Sequence, residues 1–227
     1  MSQRTISILN NEKIEWDSTH LNRQKWRLAA RHFYSLNFIV MNLLTFEEII
    51  KSIEDMTKDV NPEFCEGIVL RQVNIPFSQV EHIESELGIE IKNQVFINCI
   101  LKYNFGNFGC LSYQFGYNDE NTLNWVIRRN KDYCDYEVLK EMKLLIIANG
   151  DPYTILVDYV TGEIFVIASD IHYDNRILIA SSFELFVRGI CTAQYAMWNN
   201  GMKEFLELVY KVFPKESFIF WEHFIET

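Results

Sequence analysis

The run Asp132-Tyr-Cys-Asp-Tyr-Glu137 places three carboxylates within two helical turns' worth of chain, and Asp119-Glu120 lies shortly before it. Paired carboxylates can run acid–base chemistry or bind a hard cation through oxygen. A calcium loop also needs a glycine turn among closely spaced oxygen ligands, and none surrounds these residues. Three readings stay open: a solvated charged loop, an acidic patch for a basic partner, and a metal or catalytic site. A second group, Asp151, Asp158 and Glu163, is more dispersed. Asp151 falls in a turn, where its carboxylate can accept from nearby backbone N–H groups. Asp158 falls within a strand beside Tyr159, an odd place for a charge unless that face is open or occupied. It is expected to face a partner. Tyr113, Trp125, Tyr133, Tyr136 and Tyr153 lie near these acids in the chain. Such aromatics are enriched in interface cores and equally fill ordinary cores. The candidate partner-binding set is Asp119, Glu120, Asp132, Asp135, Glu137, Asp158, Trp125 and Tyr153.

Other chemistry finds no support. The chain has no G-x-S-x-G elbow, no H-E-x-x-H, no phosphate-cradling G-x-x-x-x-G-K-S/T and no G-x-G-x-x-G. His20, His32, His82, His172 and His223 are scattered singly. Cys65, Cys99, Cys110, Cys134 and Cys191 are widely spaced, with no C-x-x-C pair to suggest zinc or a redox dithiol. Arg23-Gln-Lys-Trp-Arg27, continuing to Arg31-His32, is basic but matches no nucleic-acid motif, and reads as the polar face of a helix. The expectation is a protein that is not an enzyme, with no catalytic, cofactor or metal site.

Charge narrows the partner. Of the net −10, residues 1–75 carry 9 Lys and Arg against 10 Asp and Glu, and residues 76–227 carry 12 against 21. A balance of −9 on the second part disfavours nucleic acid and anionic membrane, and suits a basic protein. Acidity also simply keeps a chain soluble. Met1 through Asn11 has no hydrophobic signal core, and the apolar run from Phe38 to Leu44 is too short to span a bilayer. With free thiols, that points to a cytoplasmic protein.

Periodicity supplies the elements that must position these residues. Thr45-Phe-Glu-Glu48, Ser78-Gln-Val-Glu81 and Ser181-Ser-Phe-Glu184 all read as helix-opening capping boxes. Behind Thr45, the residues Phe46, Ile49, Ile50, Ile53 and Met56 form one helical face; Phe183, Phe186, Val187 and Ile190 repeat the spacing behind Ser181. Further helices are expected over Asn22 to Leu36, from Lys92 to Tyr103 with Val95, Phe96, Cys99 and Ile100 inward, and from Gly201 to Phe213 before an aromatic tail. Gly88 reads as a helix stop and Ile68 to Val73 as a possible strand. From Cys110 the period shifts towards two, giving strands Cys110–Phe115, Leu123–Arg128, Leu144–Ala148, Tyr153–Tyr159 and Glu163–Ala168, the last two joined at Val160-Thr-Gly162. Helices, then an antiparallel meander, then helices make an α+β fold.

The run from Ile147 to Val166, with its Asn-Gly-Asp turn, strand ending in Asp158, Thr161-Gly162 hairpin and following strand, resembles the central signature of the SUKH superfamily. Ile179-Ala-Ser-Ser-Phe-Glu-Leu-Phe186 is similar to that family's helix entry, and Val80 through Gly109 to its opening helix pair and loop. Where the family usually has Leu-Pro at the second helix, this chain reads Ile89-Glu-Ile91. The resemblance covers about residues 76–195. It implies a mostly antiparallel sheet backed by helices and used as a protein-binding platform. Many bacterial members are immunity proteins encoded beside polymorphic toxins, frequently nucleases or deaminases. A eukaryotic branch, typified by a yeast regulator of cell-wall synthesis, is a regulatory interaction module, and neither branch has an enzymatic mechanism of its own. The expectation is therefore an α+β domain at 76–227, with about five to six strands and a helical N-terminal extension at 1–75. Its function would be to bind and neutralise a basic, nuclease-type toxin, or, as the alternative, to act as an interaction module without a toxin.

Overall fold

A computed structural model describes residues 42–61, 65, 67–116, 121–168 and 171–226. The expected helix over Asn22–Leu36, the basic stretch at Arg23–His32 and the acids Asp119 and Glu120 lie outside the described residues.

Six strands form one antiparallel meander in the order β1-β2-β3-β4-β5-β6: Gly109–Cys110, Tyr113–Gln114, Leu144–Asn149, Tyr153–Asp158, Ile164–Ala168 and Ile177–Ala180. Eight α-helices accompany it among the described residues: α1 Phe46–Thr57, α2 Ser78–Leu87, α3 Gln94–Lys102, α4 Asn124–Lys131, α5 Tyr136–Glu141, α6 Phe183–Trp198, α7 Met202–Val212 and α8 Phe218–Glu226. The fold is α+β.

The centre of the sheet follows from sequence. β3, β4 and β5 are runs of branched aliphatics, and Gly162, at φ +84°, turns β4 into β5. Asn93 ties that turn to α3. Its side chain accepts from Phe96 N–H at 2.8 Å, capping the helix, and donates to the Thr161 carbonyl at 2.7 Å. Thr45 opens α1 with both bonds of a capping box: its hydroxyl accepts from Glu48 N–H at 3.2 Å and its own N–H donates to Glu48 Oε2 at 2.8 Å. Gly88 ends α2 in the left-handed region, as expected.

Several expectations are corrected. Ser78 lies inside α2, because a turn at Pro76-Phe77 presents its own carbonyls to the amides of Gln79, Val80 and Glu81. α6 is capped one residue later than expected, by Ser182, whose hydroxyl accepts from Leu185 N–H at 3.2 Å. Glu184 then faces Arg188 one turn on, at 3.5 Å. Among the described residues, Ile68–Val73 finds no strand to lie against beyond a bridge from Gln72 to Tyr103. Cys110–Phe115 folds back at Leu111-Ser112, giving two short strands in place of one. Val95 is exposed and Ile97 takes its place inside. The aromatic tail is the helix α8, and β6 is an additional strand.

Leu123–Arg128 is the largest correction, since Asn124–Arg128 is helical, within α4, and Leu123 is the residue that precedes its first turn. Its position explains why. β2 meets β3 only at Gln114 and Asn149, leaving the first half of β3 without a strand on that side. Asn130 closes the gap: its side chain donates to the Ile146 carbonyl at 3.0 Å and accepts from Ile146 N–H at 2.8 Å, as a neighbouring strand would. Arg129 donates to the carbonyls of Phe115 and Gln114 where β2 ends.

The main core lies on one face of the sheet, where Leu145, Ile155, Val157 and Val166 meet Phe96, Phe183, Phe186, Phe220 and Trp221. Phe46, Ile49 and Ile53 of α1 belong to the same core. A Cβ on Gly189 would lie 2.6 Å from the Trp221 ring and 2.7 Å from that of Phe213, so the missing side chain is what lets α6 and α8 approach. The other face carries a smaller cluster, Leu139, Leu144, Ile146, Leu156 and Ile167.

Candidate functional site

The smaller cluster is incompletely roofed. α5 supplies only Leu139 to it, and the residues around its rim, Tyr133, Met142, Phe165 and Tyr173, are half-buried. Tyr133 sits in the joint between α4 and α5, held by its own N–H to the Asn130 carbonyl at 3.1 Å. Tyr173 opens a single 3₁₀ turn, Tyr173–Asn175, that leads into β6.

Folding brings these two tyrosines together with one of the candidate acids. The Tyr173 hydroxyl donates to Asp135 Oδ2 at 3.0 Å and lies 2.9 Å from the Tyr133 hydroxyl. With its proton committed to the carboxylate, Tyr173 must accept from Tyr133, so the three groups form a directed chain from phenol to phenol to carboxylate. Burial, and then these hydrogen bonds, push the Tyr173 hydroxyl above the ordinary tyrosine range, which keeps it a donor at neutral pH. Arg176 lays its guanidinium 4.8 Å over the Phe165 ring and donates from Nη1 to the Tyr173 carbonyl at 3.2 Å.

Around this strip stand exposed acids. Asp132 follows the last turn of α4, Glu137 lies in the first turn of α5 and Asp174 is in the 3₁₀ turn, beside the exposed His172. Of these acids Asp135 bonds the tyrosine strip directly, Asp132 and Asp174 are chain neighbours of Tyr133 and Tyr173, and Glu137 is exposed in the first turn of α5. No group of three or more His, Cys, Asp or Glu side chains among the described residues could hold a metal ion.

The remaining candidates fall elsewhere. Trp125 is 1% exposed inside the main core, so its ring is not available to a partner. Tyr153 is half-buried on the opposite face of the sheet from Asp135, packed on Phe220 and His223. Asp158 is half-buried and already engaged, its Oδ1 accepting from Val160 N–H and Thr161 N–H, both at 2.8 Å. It is the last residue of β4, and its charge is answered by the hairpin it closes, which explains the acid without a partner. Tyr113 is core, and Tyr136 donates to the Leu87 carbonyl at 2.7 Å, with burial pushing its hydroxyl up to about 12.

Tyr173, Phe165 and Arg176 were not singled out in the sequence. Two clefts flank α1, of about 370 Å³ and 330 Å³. The larger is lined by Phe46, Cys99, Lys102, Tyr103, Glu184 and Arg188, and Arg188 is occupied by Glu184 and the carbonyls of Leu43 and Leu44. No helix among the described residues is long and apolar enough to cross a membrane. No protein-family model, functionally characterised protein or solved structure matches this chain. Its class therefore rests on its own architecture: an α+β meander with one sealed face and one half-open, acid-rimmed face.

Proposed function

We propose that this protein is an immunity protein that holds a basic, nuclease-type toxin on the half-open face of its sheet. The observation that carries the proposal is the chain Tyr133–Tyr173–Asp135 beside the half-buried Phe165, with Asp132, Glu137 and Asp174 exposed on the same segments. An apolar, aromatic centre with a charged rim is the anatomy of a protein-docking surface. The −10 net charge gives long-range attraction for a cationic partner, and the resemblance to SUKH proteins supports the same reading. Neutralisation needs no chemistry. A protein seated over a nuclease cleft excludes nucleic acid, and steering by opposite charge makes the capture fast.

Co-expression with toxin domains encoded beside its gene tests the proposal. Protection of the cells, together with recovery of a one-to-one complex, is the expected result. Failure both to protect and to bind any of those domains rejects it, and binding without protection moves the function to a regulatory interaction module.

A further inference from the structure

The smaller of the two clefts beside α1, of about 330 Å³, opens between α1 and the C-terminal end of α6. Its lining is apolar and aromatic through Met56, Tyr195 and Trp198, and charged through Glu48, Lys51 and Asp55. Tyr195 is half-buried and Trp198 is 7% exposed, held from behind by Cys65 and Ile68. The volume is at the lower end of small-molecule pockets, which run from about 300 to 1,000 Å³. It suits a guest of few atoms. We propose that this cleft binds a small organic cation, an alkylammonium whose charge answers Asp55 and whose methyl groups lie against Tyr195 and Trp198.

Three independent features set the sign of the guest's charge. The first is the carboxylates. Glu48 and Asp55 stand against the single base Lys51, and the Asp55 carboxylate, exposed one turn beyond Lys51, has no partner among the described residues. The second is the helix end. Tyr195 and Trp198 belong to the last turn of α6, a helix of 16 residues with no basic residue in that turn. The partial negative charge of its carbonyl end is therefore not answered by a base on the helix itself. The third is the pair of rings, since the faces of tyrosine and tryptophan attract a cation. A bare metal ion is a poor guest, because Met56 and the rings cannot replace its hydration shell with oxygen ligands. An alkylammonium fits both halves of the lining: its carbon surface meets the thioether and the rings, and its charge meets the carboxylate. The cleft lies where α1 and α6 pack in the main core, whereas Asp135 and Tyr173 stand by the smaller cluster on the other face of the sheet. The proposal is thus independent of what docks there.

The test titrates the full chain with choline by calorimetry, and in parallel with the neutral analogue in which carbon replaces the choline nitrogen. The expected result is saturable binding of choline and none of the analogue, with the indole N–H of Trp198 shifting in the nuclear magnetic resonance spectrum. Asp55→Asn, at an exposed position, should weaken binding by ~3-fold or more. Lys51→Gln, which removes the one opposing charge, should tighten it. No binding of choline, equal binding of the neutral analogue, or an affinity unmoved by Asp55→Asn overturns the proposal. Should Asp55→Asn disturb folding, Lys51→Gln decides by the opposite sign: tighter binding supports the site, and unchanged or weaker binding overturns it.

Discussion

On one face of the sheet, Phe183, Phe186, Phe220 and Trp221 are 0–1% exposed; Phe186 packs ring against ring on Phe220 and Trp221 across α6 and α8, and Phe183 packs on Phe96 of α3. On the other, Tyr133, Phe165 and Tyr173 are half-buried, Asp135 bonds Tyr173, and Asp132, Glu137 and Asp174 are exposed on the same segments. Both faces are built on the same strands, and alternation along β4 sends Ile155 and Val157 one way and Leu156 the other. The contrast separates two uses of aromatic residues. Sealed between helices they hold the fold; left at a rim with carboxylates they remain available to another protein.

The contrast breaks most directly by truncation on each side. Phe186→Ala opens a cavity in a fully packed site and should cost about 3–5 kcal/mol in denaturant unfolding. Phe165→Ala, at a site already half-open, should cost well under that. Equal losses would mean that the second face is as structural as the first.

A somewhat smaller effect sharpens the boundary between them. Asn130→Leu leaves the N–H and C=O of Ile146 buried without partners, and should cost about 2–4 kcal/mol. Hydrogen exchange at Ile146 should accelerate more than at Leu156 if the amide stands in for a strand.

Tyr173→Phe removes both hydrogen bonds of the phenol chain while keeping the ring. It should cost about 1 kcal/mol. Because that loss is small, any larger effect on binding reports on the surface and not on folding.

The smallest effect concerns the exposed pair Lys131 and Glu86, 2.6 Å apart, which joins α4 to α2. Hydrogen bonding and attraction from Lys131 hold the Glu86 carboxyl below its usual range. A lowered folded pKa stabilises above the unfolded value, about 4.3, and that contribution fades as pH falls through the folded value. Lys131 is raised by the same contact, so its share persists below about 10.4 and fades in strong base. Glu86→Gln should therefore lower the thermal midpoint slightly at neutral pH and not in acid.

What the sequence makes legible follows the range of the deciding interaction. The capping box at Thr45 and the Gly162 turn are settled by residues three or four positions apart, and both read correctly. α4 does not, because Leu123, Trp125 and Ile127 alternate like a strand while Leu123, Val126 and Asn130 follow helical spacing. The choice is made by Asn130 reaching Ile146, which nothing local announces. The candidate site divides the same way. Asp132, Asp135 and Glu137 are visible as a cluster, whereas Tyr173 joins Asp135 across 38 residues, only once β3, β4 and β5 have folded back. An aromatic residue type does not say which side of a sheet it faces, so Trp125 and Tyr153 read alike although Trp125 is sealed in the main core and Tyr153 is half-buried.

The most direct test measures association of the purified chain with the toxin encoded beside its gene, for the parent and for Asp135→Lys/Glu137→Lys. Both substitutions lie on exposed positions at the start of α5. Docking on the acidic rim predicts association at least ~10-fold slower for the reversed variant, and a parent rate that falls as salt screens exposed charges over about 8–10 Å. Equal rates for the two proteins, unchanged by salt, would contradict it.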